Sequence, residues 1–453
     1  MNFKDKKVLV VGMARSGVAA AQLLCQNGAL VTVNDSKSEA ELGDNIAALE
    51  GLALRREFGK PAADVLESMD VLVISPGIPD TAGFVVKAKE KGIYVVGELE
   101  LAYQLSRGNL VAVTGTNGKT TTVSLLGEIF RNAGKVTHVV GNIGYPYSLA
   151  AMVSKKEDVV VCEVSSFQME TADTFHPHVA VLTNITEDHL NRHGTMEVYT
   201  AMKMRTFRRQ GPEDYAIFNA DDPALKSLPK QVKSKVLIFS RQQEVERGAF
   251  VRDNIIMINI NGEEKSICRT DEVFIPGPHN LENALAAVCA ASAMDIPVPV
   301  IRHSLKTFRG VEHRIEPVRV LDGVEYFNDS KGTNVDSTIK AVQTMTKPTV
   351  IILGGYDKHC SFDPLSVEIV RSESIRHAVV IGATADQIEA SLMKNGFTHF
   401  ERAEDLEKAV LACKKIAKDG WNVLFSPACA SFDMFSDYEQ RGRVFKDIVN
   451  KLV

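Results

Sequence analysis

The stretch Val111-Ala112-Val113-Thr114-Gly115-Thr116-Asn117-Gly118-Lys119-Thr120-Thr121 decides the fold of this chain. An apolar run reads as a strand, a glycine-containing turn follows it, and a helix starts at the end of the turn. Glycines let backbone N–H groups wrap phosphate oxygens, and the helix N-terminus adds the positive end of its dipole. In that reading Lys119 reaches the β- and γ-phosphates and the Thr120 hydroxyl is a Mg²⁺ ligand. The spacing departs from the usual phosphate loop, in which Gly and four residues precede Gly-Lys-Ser/Thr. Position 113 is Val, so only the inner Gly115-x-x-Gly118-Lys119-Thr120 remains. The competing reading is a strand-to-helix turn with a chance Gly-Lys-Thr. The order strand, turn, lysine, hydroxyl, helix favours phosphate.

The same pattern recurs outward from this stretch. Upstream, apolar runs at residues 8–11, 30–33, 71–74 and 93–96 alternate with helical spacing at 18–25. Downstream they return at 159–162, 179–182 and 216–218. A third series follows Pro297-Val298-Pro299, with strands expected at 349–353, 378–381 and 422–425 and helices at 335–344, 406–415 and 438–450. Alternating strands and amphipathic helices read as βαβ units on parallel sheets, an α/β protein. Residues 248–275 break the pattern: short runs separated by Asp253-Asn254 and Asn261-Gly262 have hairpin chemistry, so a small antiparallel sheet is expected there, before a helix at 281–293. The 453 residues suggest about three domains at roughly 150 residues each, with boundaries near 97/98 and 304/305.

Composition excludes several classes. Hydrophobic residues are 45 % and charged residues 24 %, ordinary globular values that rule out wholesale disorder. The net charge of −5 gives no global pull toward nucleic acid or anionic lipid. Apolar runs fall far short of the roughly 18 residues of a membrane span. The N-terminal residues lead straight into a strand with no signal or transit pattern, so a cytoplasmic protein is expected. The 7 cysteines are odd in number and never spaced Cys-x-x-Cys, against a disulfide framework or a cysteine metal site.

The turn Gly12-Met13-Ala14-Arg15-Ser16-Gly17 is less decisive. A dinucleotide fingerprint needs Gly where Ala14 stands, while Asp35 falls where a ribose-binding acid belongs. A nucleotide-like ligand and plain βα packing both remain open. Glu163 and His189 each follow an apolar run, and strand carboxyl ends line the ligand crevice of open α/β sheets. Singly, each reads as structural; as a pair beside a phosphate loop they point to Mg²⁺. Lys203 alone reads as a helix-surface lysine, and Lys203, Arg205, Arg208 and Arg209 equally form a solvated face.

Taken together, these residues resemble the Mur ligases of peptidoglycan synthesis. The resemblance runs through Gly115–Thr120, Gly141-Asn142-Ile143-Gly144, Glu163-Val164-Ser165-Ser166-Phe167-Gln168, Asn184-Ile185-Thr186-Glu187-Asp188-His189-Leu190, Tyr199-x-x-x-Lys203, His279-Asn280-x-x-Asn283-Ala284 and Glu312-His313-Arg314, and it covers the whole chain. Within the family, Asn328-Asp329-Ser330-Lys331-Gly332-Thr333-Asn334, Gly354-Gly355-Tyr356-Asp357-Lys358 and Ser426-Pro427-Ala428-Cys429-Ala430-Ser431-Phe432-Asp433 look like the D-glutamate-adding branch. The Asp-Asn-Pro-Arg segment of the diamino-acid-adding ligase is not seen, nor are the extra first-domain glycines of the L-alanine-adding ligase. Folylpolyglutamate ligases share the ATP loop but lack a Rossmann-like first domain.

The resemblance implies three domains. They are a Rossmann-like UDP-substrate domain (1–97), a central P-loop ATPase-type mononucleotide-binding domain with a small antiparallel sheet (98–304), and a Rossmann-like D-glutamate-binding domain (305–453). It implies an ATP-dependent, amide-forming ligase that adds D-glutamate to UDP-N-acetylmuramoyl-L-alanine through an acyl phosphate, giving ADP and phosphate, and acts as a monomer. Gly115, Thr116, Asn117, Gly118, Lys119, Thr120 and Thr121 would cradle ATP, with Asn280, Asn283, Arg314, Asp329 and Lys331. Thr120 and Glu163 would hold one Mg²⁺; His189 and Lys203, carbamylated by CO₂, would serve a second. Arg15, Ser16, Asp35, Ser36, Lys37 and Gly77 would face the uridine diphosphate, and Asn142 and Ser165 would also bind substrate. Thr333, Lys358, Ser431, Phe432 and Tyr438 would surround D-glutamate. Two rivals fare worse. A nucleotide switch or motor needs a conventional loop and a long effector surface. A nicotinamide oxidoreductase is opposed by Ala14 and leaves the second and third series unexplained.

Overall fold

The computed structural model describes residues 1–142, 145–357 and 360–453. The first sheet contains β1 (Lys7–Val11), β2 (Leu30–Asp35), β3 (Arg55–Phe58), β4 (Val71–Ile74) and β5 (Tyr94–Gly97). Its order is β3-β2-β1-β4-β5, all parallel. The unbroken apolar runs of β1 and β4 suit strands buried on both faces, as a helix-covered parallel sheet demands.

The central sheet contains β6 (Asn109–Thr114), β7 (Thr137–Gly141), β8 (Val159–Glu163), β9 (Val179–Leu182), β10 (Tyr215–Asn219), β11 (Lys235–Ser240), β12 (Gly248–Arg252), β13 (Ile255–Ile260) and β14 (Glu263–Arg269). Its nine strands run β7-β8-β6-β9-β10-β11-β12-β13-β14. The antiparallel strands expected near 248–275 are present, but as an extension of this sheet. β12 pairs parallel with β11 through Ile238↔Gly248, and β13 and β14 follow as hairpins. Gly248 permits the junction, since a Cβ there would lie 1.8 Å from the Ile238 carbonyl oxygen. The hairpin turns use Asp253, Asn254 and Asn261 at positive φ, the conformation that Asn, Asp and Gly tolerate best.

These two sheets form one compact unit, residues 1–274 and 280–308. The expected boundary at 97/98 falls between β5 and the helix Glu98–Leu105. That helix is itself the shared layer: Leu99, Leu101 and Ala102 enter one apolar core with Leu110, Tyr147, Ala150 and Phe175. Two buried carboxylates cross the layer. Glu98 accepts the Ser148 N–H at 2.6 Å, and Glu100 accepts the N–H groups of Asp173, Thr174 and Phe175. The expected boundary at 304/305 falls inside the helix Val298–Thr307, which stays with this unit to residue 308.

The second unit comprises residues 275–279 and 309–453. It contains β15 (Glu316–Leu321), β16 (Val324–Asn328), β17 (Thr349–Leu353), β18 (Ile375–Val380), β19 (Phe400–Arg402) and β20 (Asn422–Phe425). The order is β15-β16-β20-β17-β18-β19, with β15 antiparallel and the rest parallel. Residues of β17 alternate between two cores, Ile351 and Leu353 on one face and Val350 and Ile352 on the other. No helix among the described residues is long and apolar enough to cross a membrane.

Candidate functional site

β6 ends at Thr114, and the helix Lys119–Asn132 begins four residues beyond Gly115. Gly115 has φ 143° and Gly118 φ 83°. A Cβ at Gly115 would lie 2.0 Å from Thr183 Oγ1, and one at Gly118 2.2 Å from Asn283 Oδ1. Both glycines are therefore demanded by sterics as well as by φ. Side chains beyond β9 hold the loop open. Asn184 Oδ1 accepts the Asn117 N–H at 2.8 Å, and Thr183 Oγ1 donates to the Asn117 carbonyl at 2.6 Å. The Thr116 hydroxyl donates to the Thr186 carbonyl at 3.2 Å and accepts its N–H at 3.0 Å. Asn283 lies under the loop and accepts from Thr122 Oγ1 at 3.4 Å, and its Nδ2 donates to Asn280 Oδ1 at 3.2 Å. Sequence reasoning missed Thr183; its position at the end of an apolar run was the available signal.

Lys119 and Lys203 both donate to the Gly115 carbonyl oxygen, at 2.9 and 2.8 Å. Lys119 also donates to the Thr116 carbonyl at 2.7 Å. Lys203 is only 2 % exposed, so the surface-lysine reading is wrong. Its helix, Met196–Met204, turns Tyr199 and Lys203 inward together, and Lys203 Nζ lies 4.4 Å from the Tyr199 ring centroid. Burial first, and the Lys119 charge second, push the Lys203 amine well below its ordinary pKa. Both effects make the charged form of Lys203 costlier than it would be on the surface.

Beside the lysines, Thr120 Oγ1 donates to Glu163 Oε2 at 2.8 Å, and Asn142 Nδ2 donates to Glu163 Oε1 at 3.0 Å. Glu163 is 2 % exposed. This set of a hydroxyl and a buried carboxylate is the oxygen chemistry a hard divalent cation takes, and it fits Mg²⁺. Ile143 and Gly144, next to Asn142, lie outside the described residues. Ser165 caps the helix Ser166–Met169 in a reciprocal box with Gln168. His189 adopts φ 55°, and its ring packs edge-on against Phe167 at 4.7 Å and against Tyr199 at 6.4 Å. His189 and Lys203 thus flank the same Tyr199 ring, although 14 residues apart in the numbering.

In the first sheet, the expected residues gather at the carboxyl ends of β1, β2 and β4. Asp35 Oδ2 accepts the Met13 N–H at 2.7 Å, and Asp35 Oδ1 accepts the Lys37 N–H at 3.0 Å. Gly12 and Gly17 are packing glycines: a Cβ at Gly17 would lie 1.8 Å from the Gly12 carbonyl oxygen. Arg15, Ser36, Lys37 and Gly77 are exposed at this edge, and Ser16 is half-buried.

The remaining expected residues belong to the second unit, where they cluster among themselves. Asp329 is fully buried, accepts from Ser426 Oγ at 2.7 Å and faces Arg314 Nη1 at 3.8 Å. Burial raises its carboxyl to about 6 against the opposing pull of Arg314. Lys331 Nζ donates to Tyr438 Oη at 3.1 Å. Thr333 follows one turn of chain later, its N–H on the Lys331 carbonyl at 2.9 Å. Ser431 is buried, and Phe432 is 65 % exposed, edge-on to Tyr356 at 6.1 Å. Arg441, not foreseen from sequence, is buried beneath them. It donates to the carbonyls of Ser330 at 2.8 Å, Cys429 at 3.0 Å and Ala430 at 3.0 Å, joining the loops after β16 and β20. Lys358 lies outside the described residues.

Comparison with known proteins agrees with this architecture. Residues 6–97 match the Mur ligase MurD-like N-terminal domain, 113–291 the Mur ligase middle domain, and 313–429 the Mur ligase glutamate ligase domain. A UDP-N-acetylmuramoylalanine–D-glutamate ligase of Alkaliphilus oremlandii is 45 % identical over 100 % of both chains. Proteins of the same name from Pelotomaculum thermopropionicum and Clostridioides difficile are 47 % and 45 % identical over 100 % of this chain and 99 % and 100 % of theirs. Among solved structures, the UDP-N-acetylmuramate–alanine ligase MurC of Thermotoga maritima superposes with a TM-score of 0.63 at 20 % identity, covering 98 % of this chain and 99 % of that one. The MurF ligase of Thermotoga maritima, in complex with ADP, gives 0.60 at 17 % identity, covering 99 % and 96 %. Alike over its full length to these relatives, and matched domain by domain, the chain belongs to the Mur ligase family.

Proposed function

We propose that this protein is the ATP-dependent ligase that joins D-glutamate to UDP-N-acetylmuramoyl-L-alanine in peptidoglycan precursor synthesis, releasing ADP and phosphate. The observation that carries the reading is the convergence of Lys119 and Lys203 on the Gly115 carbonyl, beside the Thr120–Glu163 pair. The names of the full-length relatives supply the substrates.

The acceptor's terminal carboxylate is a poor electrophile, because its oxygen is a poor leaving group. Transfer of the γ-phosphoryl group to that oxygen makes an acyl phosphate. The D-glutamate amine attacks the carbonyl carbon, a tetrahedral intermediate forms, phosphate leaves with the C–O bond electrons, and an amide remains. Lys119 neutralises charge on the phosphates as it moves from ATP to the acyl group. Loop N–H groups and the helix N-terminus at Lys119 orient the phosphate chain. Asn280 and Asn283 hold the loop from below, and Arg314, Asp329 and Lys331 take the remainder of ATP. Thr120 and Glu163 would hold one Mg²⁺, and His189 and a carbamylated Lys203 a second; the metals supply charge neutralisation at the transferring phosphoryl group. The burial of Lys203 supports the carbamate, whose negative charge relieves the crowding of two cations on one carbonyl. Arg15, Ser16, Asp35, Ser36, Lys37 and Gly77 serve the uridine diphosphate, and Asn142 and Ser165 the acyl-bearing end. Thr333, Lys358, Ser431, Phe432 and Tyr438 receive D-glutamate, with Lys358 as the cation for its side-chain carboxylate. A monomer is part of the same proposal. ATP and a UDP-activated precursor as substrates support a cytoplasmic reaction.

The test is a screen of amino acids with UDP-N-acetylmuramoyl-L-alanine, ATP and Mg²⁺, following phosphate release. D-glutamate should be the amino acid on which turnover depends. ATP hydrolysis independent of any amino acid, or preference for another one, overturns the proposal.

A further inference from the structure

A single arginine spans the seam between the first sheet and the central sheet. The short helix Leu190–His193 follows His189 and directs Arg192 toward the loop after β4. There its guanidinium donates to two carbonyl oxygens, Nη1 to Gly77 at 3.3 Å and Nη2 to Ile78 at 3.1 Å. On its other side, Nε and Nη2 donate to the two oxygens of Glu170, at 3.0 and 2.6 Å. Its central carbon lies 5.0 Å from the Phe167 ring centroid, and Phe167 is the ring that His189 packs against. One planar group therefore ties together the loop after β4, the segment after β8 and the segment that carries His189.

Next to this contact the seam is tight. A Cβ at Gly97 would lie 2.4 Å from Thr171 Oγ1. The cavity enclosed by Ser75, Ile78, Phe167, Gln168 and Thr171 is about 10 Å³, room for one water. The side chains of Arg192 and Glu170 are 17 % and 10 % exposed, so the pair is shielded and geometrically defined, unlike a surface ion pair.

We propose that Arg192 is a positioning residue that sets the separation between the diphosphate end and the acyl end of the bound substrate. This rests on the functional reading above, in which Gly77 faces the uridine diphosphate and His189 serves the reacting end. A substrate gripped at both ends presents its carboxylate at a place decided by the distance between the grips. A misplacement of about 1 Å at a reacting centre costs on the order of a hundredfold in rate. The guanidinium fork fixes direction as well as distance, because it meets a carboxylate along one edge and carbonyls along another. A lysine ammonium in its place is a point charge on a flexible stem and fixes neither.

Steady-state kinetics of the full-length enzyme test this, with KM for ATP and for UDP-N-acetylmuramoyl-L-alanine measured separately and the thermal midpoint recorded alongside. Arg192→Ala is expected to lower kcat roughly a hundredfold and to raise KM for the UDP-linked substrate while KM for ATP stays close to wild type. Arg192→Lys should recover only a minor part of kcat. Glu170→Gln keeps the carbonyl contacts and weakens the anchor behind them; it should shift the same two parameters in the same direction by less, and it serves if the alanine variant does not fold. A folded Arg192→Ala with wild-type kcat, or one whose KM rises equally for both substrates, overturns the inference and leaves a structural contact. Wild-type enzyme that does not turn over these substrates overturns the functional reading and this inference with it.

Discussion

The first and central sheets each carry a glycine turn that leads from a strand into a helix, and the two turns are completed by different chemistry. In the first, Gly12 and Gly17 pack against each other and against Ser75, and the Asp35 carboxylate accepts the N–H groups of Met13 and Lys37. In the second, Gly115 and Gly118 pack against Thr183 and Asn283, an amide of Asn184 accepts the Asn117 N–H, and two lysines converge on one carbonyl. Both glycine pairs are dictated by close approach. The glycines alone therefore do not say what a turn binds. The neighbouring strands do, because β2 delivers an acid to the first turn, while the end of β8 delivers Glu163 and a helix beyond β9 delivers Lys203 to the second.

The strongest way to test that contrast is to remove one cation from each turn. Lys119→Ala should lower kcat by about a thousandfold or more, since it removes charge neutralisation in the transition state. Arg15→Ala, at the exposed first turn, should do no more than raise KM for the UDP-linked substrate several-fold. Near-normal turnover of folded Lys119→Ala, checked by phosphate release and circular dichroism, would take the central loop out of the mechanism.

Lys203→Ala comes next, with turnover expected to fall by on the order of a hundredfold and to return in part when a short carboxylate is added. A carbamate is a carboxylate on a lysine stem, so an acid of similar shape replaces it imperfectly. Full activity without added acid would leave Lys203 as a buried structural cation and make the two turns more alike.

The glycines separate binding from packing. Gly118→Ala places a methyl 2.2 Å from Asn283 Oδ1 at φ 83° and should raise KM for ATP about tenfold or more. Gly17→Ala places one 1.8 Å from the Gly12 carbonyl and should cost roughly 1–3 kcal/mol of stability, read as a lower thermal midpoint, with KM for ATP unchanged. A Gly17→Ala effect on ATP would show that the turns communicate.

The smallest effect belongs to Asp35→Asn. The amide oxygen still accepts one backbone N–H, so KM for the UDP-linked substrate should rise a few-fold and kcat should hold. A loss as large as that of Lys119→Ala would mean that the acid of the first turn is as central as the cations of the second.

Legibility in the sequence tracked burial on both faces of a strand. β1, β4, β8, β9, β17 and β20 announce themselves as apolar runs, because helices cover both sides of them. β3 (Arg-Arg-Glu-Phe) and β19 (Phe-Glu-Arg) sit near or at sheet edges, carry charged residues and give no such signal. The antiparallel hairpins were readable from Asn261-Gly262, yet their attachment to β11 was not, since a parallel pairing leaves no mark on either strand. At the site, Gly115, Gly118, Lys119 and Thr120 were readable because they are contiguous. Lys203 was misread from its helix alone, and only the family resemblance placed it near the phosphates.

The sequence by itself determined the α/β class, the three series of βαβ units, the phosphate loop and, through its resemblance, the family. These rest on local order: which residue follows which, and where apolar runs stop. Tertiary structure alone decided that the first two series share one core, that the hairpins lengthen the central sheet, and that Arg192 and Arg441 pin loops from different strands. It also decided that Lys203 is buried against a carbonyl 88 residues away. Hydrogen bonds and burial depend on distances across the folded chain, and a lysine carries the same letter whether it faces water or a neighbouring cation.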